Sequence, residues 1–111
     1  MKPIPKHLLI HKGKAIKLSL PDMWNNRTDE TVTDLENIRV EPTNSLVITK
    51  DNRQVKLSAV LFLDCVNSKP SDFDFSQADI IEVFGSRYEI VSVDRLYDNK
   101  RLHHYEVGLC L

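Results

Sequence analysis

Glycine is scarce: the 111 residues hold three, Gly13, Gly85 and Gly108, each isolated from the others. This excludes the glycine-rich loops that cradle phosphate in nucleotide-binding proteins. Cysteine is equally thin, since Cys65 and Cys110 are too few for a disulfide framework and show no metal-binding spacing. Both read as free thiols of a reducing compartment. No apolar run approaches the roughly 20 residues of a membrane-spanning helix. Leu8-Leu9-Ile10 is cut short by His11 and Lys12, so neither a signal peptide nor membrane association is expected. Nor does any long segment keep a 3.6-residue apolar period, which removes helix as a general account of the chain.

What is present is the composition of an ordinary soluble domain, 41% hydrophobic and 28% charged. At this length residues 1–111 form one domain with one core, and the subunit need not oligomerise to fold. The net charge of −1 hides an asymmetry: residues 1–20 carry five lysines and no acid, while residues 21–51 are net acidic. Residues 1–7 read as a flexible N-terminal arm, and Lys2, Lys6, Lys12 and Lys14 as candidates for docking it to a partner.

The dominant period is two. Leu8, Ile10, Ile16, Leu18 and Leu20 predict a long strand from Leu8 to Leu20 with one wet face. Thr31 to Glu41 predicts another, which Pro42 either ends or marks as an edge. Ser45 to Thr49 and Arg53 to Asp64 flank the short polar connection Lys50-Asp51-Asn52. The second of these runs is apolar on both faces in its later half, so cover on both sides is expected. Asp79 to Phe84 and Arg87 to Leu96 form a hairpin about Gly85-Ser86, and His103 to Leu111 a terminal strand after the turn Tyr97–Arg101. Two polar stretches, Pro21 to Asp34 and Asn67 to Ala78, read as long loops, the second with one helical turn near Ser76. The expected fold is therefore all-β: a small antiparallel β-barrel or sandwich of six to seven strands with two long loops.

No nucleophile, base and orienting group fall into a catalytic pattern, so the chain does not read as an enzyme, and no cofactor is implied. Cys65 shares parity with Leu57 to Leu63 and reads as a small core residue. His103 and His104, adjacent on a strand, should point to opposite faces and so could not share a metal. Asp72, Asp74 and Asp79 lack calcium-loop spacing. Tyr88, Tyr97 and Tyr105 sit inside apolar strand patterns and read as packing residues, which disfavours a single-stranded nucleic-acid-binding barrel, the alternative of another class. Trp24 and Phe73, each in a polar loop, are either loop anchors or protein-contact residues.

The order of these segments carries a resemblance. Pro3-Ile4-Pro5-Lys6-His7-Leu8-Leu9-Ile10-His11, Leu35-Glu36-Asn37-Ile38-Arg39-Val40-Glu41-Pro42 and Leu57-Ser58-Ala59-Val60-Leu61-Phe62 resemble the minor capsid protein family of tailed phages and prophages of Gram-positive bacteria. So do Asp79-Ile80-Ile81 with Gly85, Tyr88-Glu89-Ile90-Val91-Ser92-Val93, and Leu102-His103-His104-Tyr105-Glu106-Val107. The resemblance spans nearly the whole chain, and the chain is similar to head-completion, or stopper, proteins. It implies a head-tail connector subunit of the virion neck, assembled in the host cytoplasm. Its ring would sit between portal-adaptor and tail-side proteins, with packaged DNA passing through without sequence-specific binding. A tail terminator or another minor capsid component is the neighbouring reading. On that basis Asp22, Trp24, Arg27, Asp29, Glu30 and Asp34, with Asp72, Phe73, Asp74 and Phe75, are candidates for channel-lining or neighbour-contact loops. The acidic set Asp22, Asp29, Glu30 and Asp34 would repel DNA phosphate.

Overall fold

The computed structural model describes residues 2–18, 30–48, 51–70, 73–75 and 78–111. Its strands are β1 (His11–Leu18), β2 (Glu30–Pro42), β3 (Leu46–Ile48), β4 (Gln54–Lys56), β5 (Ala59–Asp64), β6 (Ile80–Val83), β7 (Ser86–Tyr97) and β8 (Leu102–Cys110). Six of them close an antiparallel barrel in the order β1-β2-β5-β8-β7-β6, and β3 and β4 form a separate two-stranded sheet. The all-β barrel expected from the period-two patterning is thus what the chain forms.

The barrel closes because its strands each present an apolar face to a shared interior. Leu35, Ile38 and Val40 of β2, Ala59, Leu61 and Leu63 of β5, Ile81 and Val83 of β6, and Tyr105, Val107 and Leu109 of β8 are all buried in one cluster. Phe73 and Phe75 join it from the loop between β5 and β6, their rings edge to face at 4.9 Å and Phe75 5.3 Å from Tyr105. The anchor reading therefore holds for Phe73, and Phe75 is buried beside it. Neither ring is available as an exposed neighbour contact. Ser76 and Trp24 lie outside the described residues.

Four local features depart from the sequence reading. Residues Lys6–Leu8 form a 3-10 turn, which shifts the parity of the residues beyond it. Leu9 is buried, while Leu8 and Ile10 are 41% and 65% exposed, and the strand starts only at His11. The run Arg53 to Asp64 serves two sheets: Leu57 N–H donates to Ser45 of the hairpin, and Ser58 N–H donates to Leu109 of the barrel. The chain changes partner between those two residues, splitting one expected strand into β4 and β5. The β6–β7 turn is Phe84-Gly85, one residue earlier than expected, and both residues have positive φ, 56° and 73°. This is the backbone of a two-residue type I′ hairpin loop. Finally, Tyr97 is exposed, at 64%, where packing was expected.

Bulges account for further differences. Between the pairs His11↔Ile38 and Gly13↔Leu35, β2 carries an extra residue, and Asn37 adopts φ 53° there. The bend lets Glu36 exchange both backbone hydrogen bonds with Lys69, each 2.9 Å, and lets Ser68 Oγ donate to the Asn37 carbonyl. A second bulge lies in β8, where Leu96↔His104 is followed by Tyr97↔Leu102 and leaves His103 as the extra residue. An extra residue breaks the strict alternation of faces. His103 and His104 accordingly meet instead of pointing apart, with their Nδ1 atoms 2.7 Å from each other.

Candidate functional site

The N-terminal segment is fastened to the barrel instead of projecting as a free arm. Asp64, fully buried at the end of β5, is its main anchor. One carboxylate oxygen accepts the Ile4 N–H at 2.9 Å, and the other accepts the N–H groups of Val66 and Asn67 at 2.9 and 2.8 Å. Asn67 Nδ2 in turn donates to the Ile4 carbonyl at 2.7 Å. Further along, His103 Nε2 donates to the Lys2 carbonyl at 2.6 Å, and Arg39 Nη1 to the Leu8 carbonyl at 3.0 Å. His104 Nε2 lies 3.0 Å from Glu106 Oε2, so the histidine pair belongs to a polar chain running from the N-terminal segment to β8. Sequence reading missed Asp64 because it ends an apolar run. Its signal is the Asp followed at once by a turn whose N–H groups need an acceptor.

The candidate contact residues scatter. Asp22, Trp24, Arg27, Asp29 and Asp72 lie outside the described residues. Glu30, at the start of β2, is held by Arg87 through two hydrogen bonds of 3.1 and 3.4 Å, and these bonds raise the Arg87 guanidinium above its ordinary value. Asp34 is on β2 directly opposite Lys14, which on its other side faces Glu82 of β6. Lys12 and Lys14 are thus strand residues of the barrel wall. Together with Asp34, Glu36, Glu82 and Phe84 they line an open groove of about 330 Å³. Gly13 forms its narrow floor, since a Cβ there would stand 3.0 Å from the Glu82 carbonyl oxygen. Lys6 is exposed in the 3-10 turn, and Asp74 is exposed between the two buried phenylalanines. The groove's carboxylates and ammonium groups alternate, so it presents no field of one sign.

Phe84 stands out among the exposed residues. It is 61% exposed at the tip of the β6–β7 hairpin, with its ring edge-on to His11 at 4.9 Å. An aromatic side chain at positive φ costs about 1–2 kcal/mol relative to a residue suited to that conformation. Cys65 is half-buried against the core, and burial first, then the Asp64 charge, raises its thiol above the ordinary value. That environment suppresses the thiolate and with it nucleophilic character. Among the described residues no three His, Cys, Asp or Glu side chains are placed to hold a metal ion. No helix among them is long and apolar enough to cross a membrane.

The chain belongs to the minor capsid protein family, whose model matches residues 5–109. This is a family of phage structural proteins, which gives the chain a place in the virion among other virion proteins and points to a non-enzymatic role. No curated protein and no solved structure matches the chain.

Proposed function

We propose that this minor capsid protein is a head-tail connector of the head-completion, or stopper, type in a tailed phage or prophage. Its copies form a ring between the portal-adaptor complex and the tail, and the ring helps retain packaged DNA. The observation that carries this reading is a barrel interior filled by side chains, Phe73 and Phe75 included, in a chain of the minor capsid family. DNA cannot thread a filled barrel of six strands, so a protein of this kind guards DNA only if several copies surround a path between them. The long polar loops are then the working parts of the scaffold.

The pairs already described set the charge of the lining. Glu30 is paired with Arg87, and Asp34 sits beside Lys14, so the repulsive lining is tested at Asp22 and Asp29, the two acids of the set that lie outside the described residues. Replacing both by asparagine should slow genome ejection from assembled particles, and unchanged ejection kinetics would remove the repulsive lining. The connector role itself is tested by negative-stain microscopy of the protein mixed with DNA-filled, tailless heads. Density at a single vertex with DNA retained is the expected result. Decoration spread over the shell, or no binding, would overturn the connector reading.

A further inference from the structure

The closed barrel leaves no strand edge of its own, so the free edges among the described strands belong to the β3–β4 sheet. Register fixes which groups those edges offer. The pairs are Leu46↔Lys56, Val47↔Val55 and Ile48↔Gln54, and the Leu57 N–H donates to the Ser45 carbonyl at 2.8 Å. In an antiparallel ladder the hydrogen-bonded pairs alternate with non-bonded ones. Ser45/Leu57 and Val47/Val55 are therefore the bonded pairs, and the N–H and C=O groups of Leu46 and Ile48 point away from β4. These same two residues expose their side chains, at 64% and 69%.

The two edges differ in chemistry. Lys56 on β4 places a cationic side chain along that edge, a common guard against edge-to-edge pairing. β3 itself, Leu46-Val47-Ile48, carries no charge at all. A lone two-stranded sheet is at best marginal in water, whereas a wider sheet with an apolar face is stable.

We propose that β3 is a self-complementary edge that pairs antiparallel with β3 of a second copy, making a dimer of the free protein through a four-stranded β4-β3-β3-β4 sheet. A two-fold axis at Val47 sets Leu46 opposite Ile48 of the second copy and Ile48 opposite its Leu46. Both pairs are hydrogen-bonded, with four backbone hydrogen bonds in all, and the four aliphatic side chains cluster on one face at the centre of the sheet, with Lys56 of each copy beside Leu46 on the outer strand. The equivalent pairing of β4 would bring two lysine-bearing edges together. The dimer is independent of the connector reading, and it replaces the free monomer that composition alone allows.

The geometry makes Val47 the reporter. In a non-hydrogen-bonded antiparallel pair the Cα atoms approach to about 4.5 Å, close enough for a disulfide, whereas residues on the outer strands lie about 14 Å apart. Under mild oxidation Val47→Cys should form a covalent dimer far faster than Val55→Cys or the wild type, whose native thiols report background exchange. Light scattering of the wild type should show the mass rising with concentration from 12.8 kDa toward twice that value. The double variant Leu46→Lys/Ile48→Lys should stay monomeric, with an unchanged far-ultraviolet dichroism spectrum to show that the barrel is intact. A wild type that remains monomeric throughout would overturn the proposal. So would a dimer that survives in the double-lysine variant, or equal cross-linking at residues 47 and 55. If Val47→Cys cross-links only to a virion protein when tailless heads are added, the edge serves that partner and the dimer is withdrawn.

Discussion

At the scale of single residues, one buried carboxylate ties the N-terminal segment to the barrel. Asp64 accepts three backbone N–H groups, one of them sixty residues away in the N-terminal segment. Asp64→Ala should cost about 3 kcal/mol in urea denaturation, since it leaves buried donors without an acceptor. Phe84 should behave in the opposite way. Phe84→Asn relieves a strained backbone position and loses only an exposed ring contact, so a gain of up to about 1 kcal/mol in urea denaturation is expected. A residue retained against stability on an exposed tip is a natural candidate for contact with a partner. Cys65, whose thiol is raised by burial and by Asp64, should react with a disulfide reagent at pH 8 several-fold more slowly in the folded protein than in urea. By linkage, a raised thiol favours the protonated form, so its contribution to folding stability is fully present below the unfolded thiol's pKa and is lost as pH rises through the folded one.

At the scale of elements, the strands were legible and their interruptions were not. Alternation in Ile38 and Val40, and in Tyr105, Val107 and Leu109, is a direct imprint of one wet and one dry face, and each of these residues is buried. The same rule failed at Leu8 and Ile10 because a single 3-10 turn, capped by Pro5, changes the parity of the residues after it. It failed again at His103 and His104, where a bulge set by the register of the β7–β8 hairpin puts two neighbours into contact. The switch of sheets at Leu57-Ser58 is equally silent, since an extended backbone satisfies both sheets and only the partner changes. The candidate site was less legible still. Lys14, Asp34 and Glu82 come together through strand register, and no spacing along the chain announces that. The turn at Phe84-Gly85 offers an element-scale test: Gly85→Ala, at φ 73°, should cost about 1 kcal/mol and weaken the β6–β7 hairpin.

At the scale of the molecule, opposite charges meet on the barrel wall, with Lys14 between Asp34 and Glu82 and Arg87 held to Glu30. A protein that gripped DNA through its phosphates would need a coherent basic face and would lose affinity steeply as salt rises. A gel-shift titration at low salt should accordingly show no retarded single-stranded DNA. Retardation that disappears as salt increases would favour the nucleic-acid-binding barrel instead.

The closed barrel beside an open hairpin also separates the chain into two clocks. In a barrel without edges, no strand can fray sideways, so the amide protons of Leu61 and Val107 can trade with solvent deuterium only when the whole barrel opens. Those of Leu46 and Ile48, aimed away from β4, should trade almost at the rate of an unfolded peptide in dilute monomer and slow as the β3 edges pair. The same chain would thus carry its slowest and its fastest protons within about fifteen residues of one another, at Ile48 and Leu61, on either side of the point where it leaves one sheet for the next.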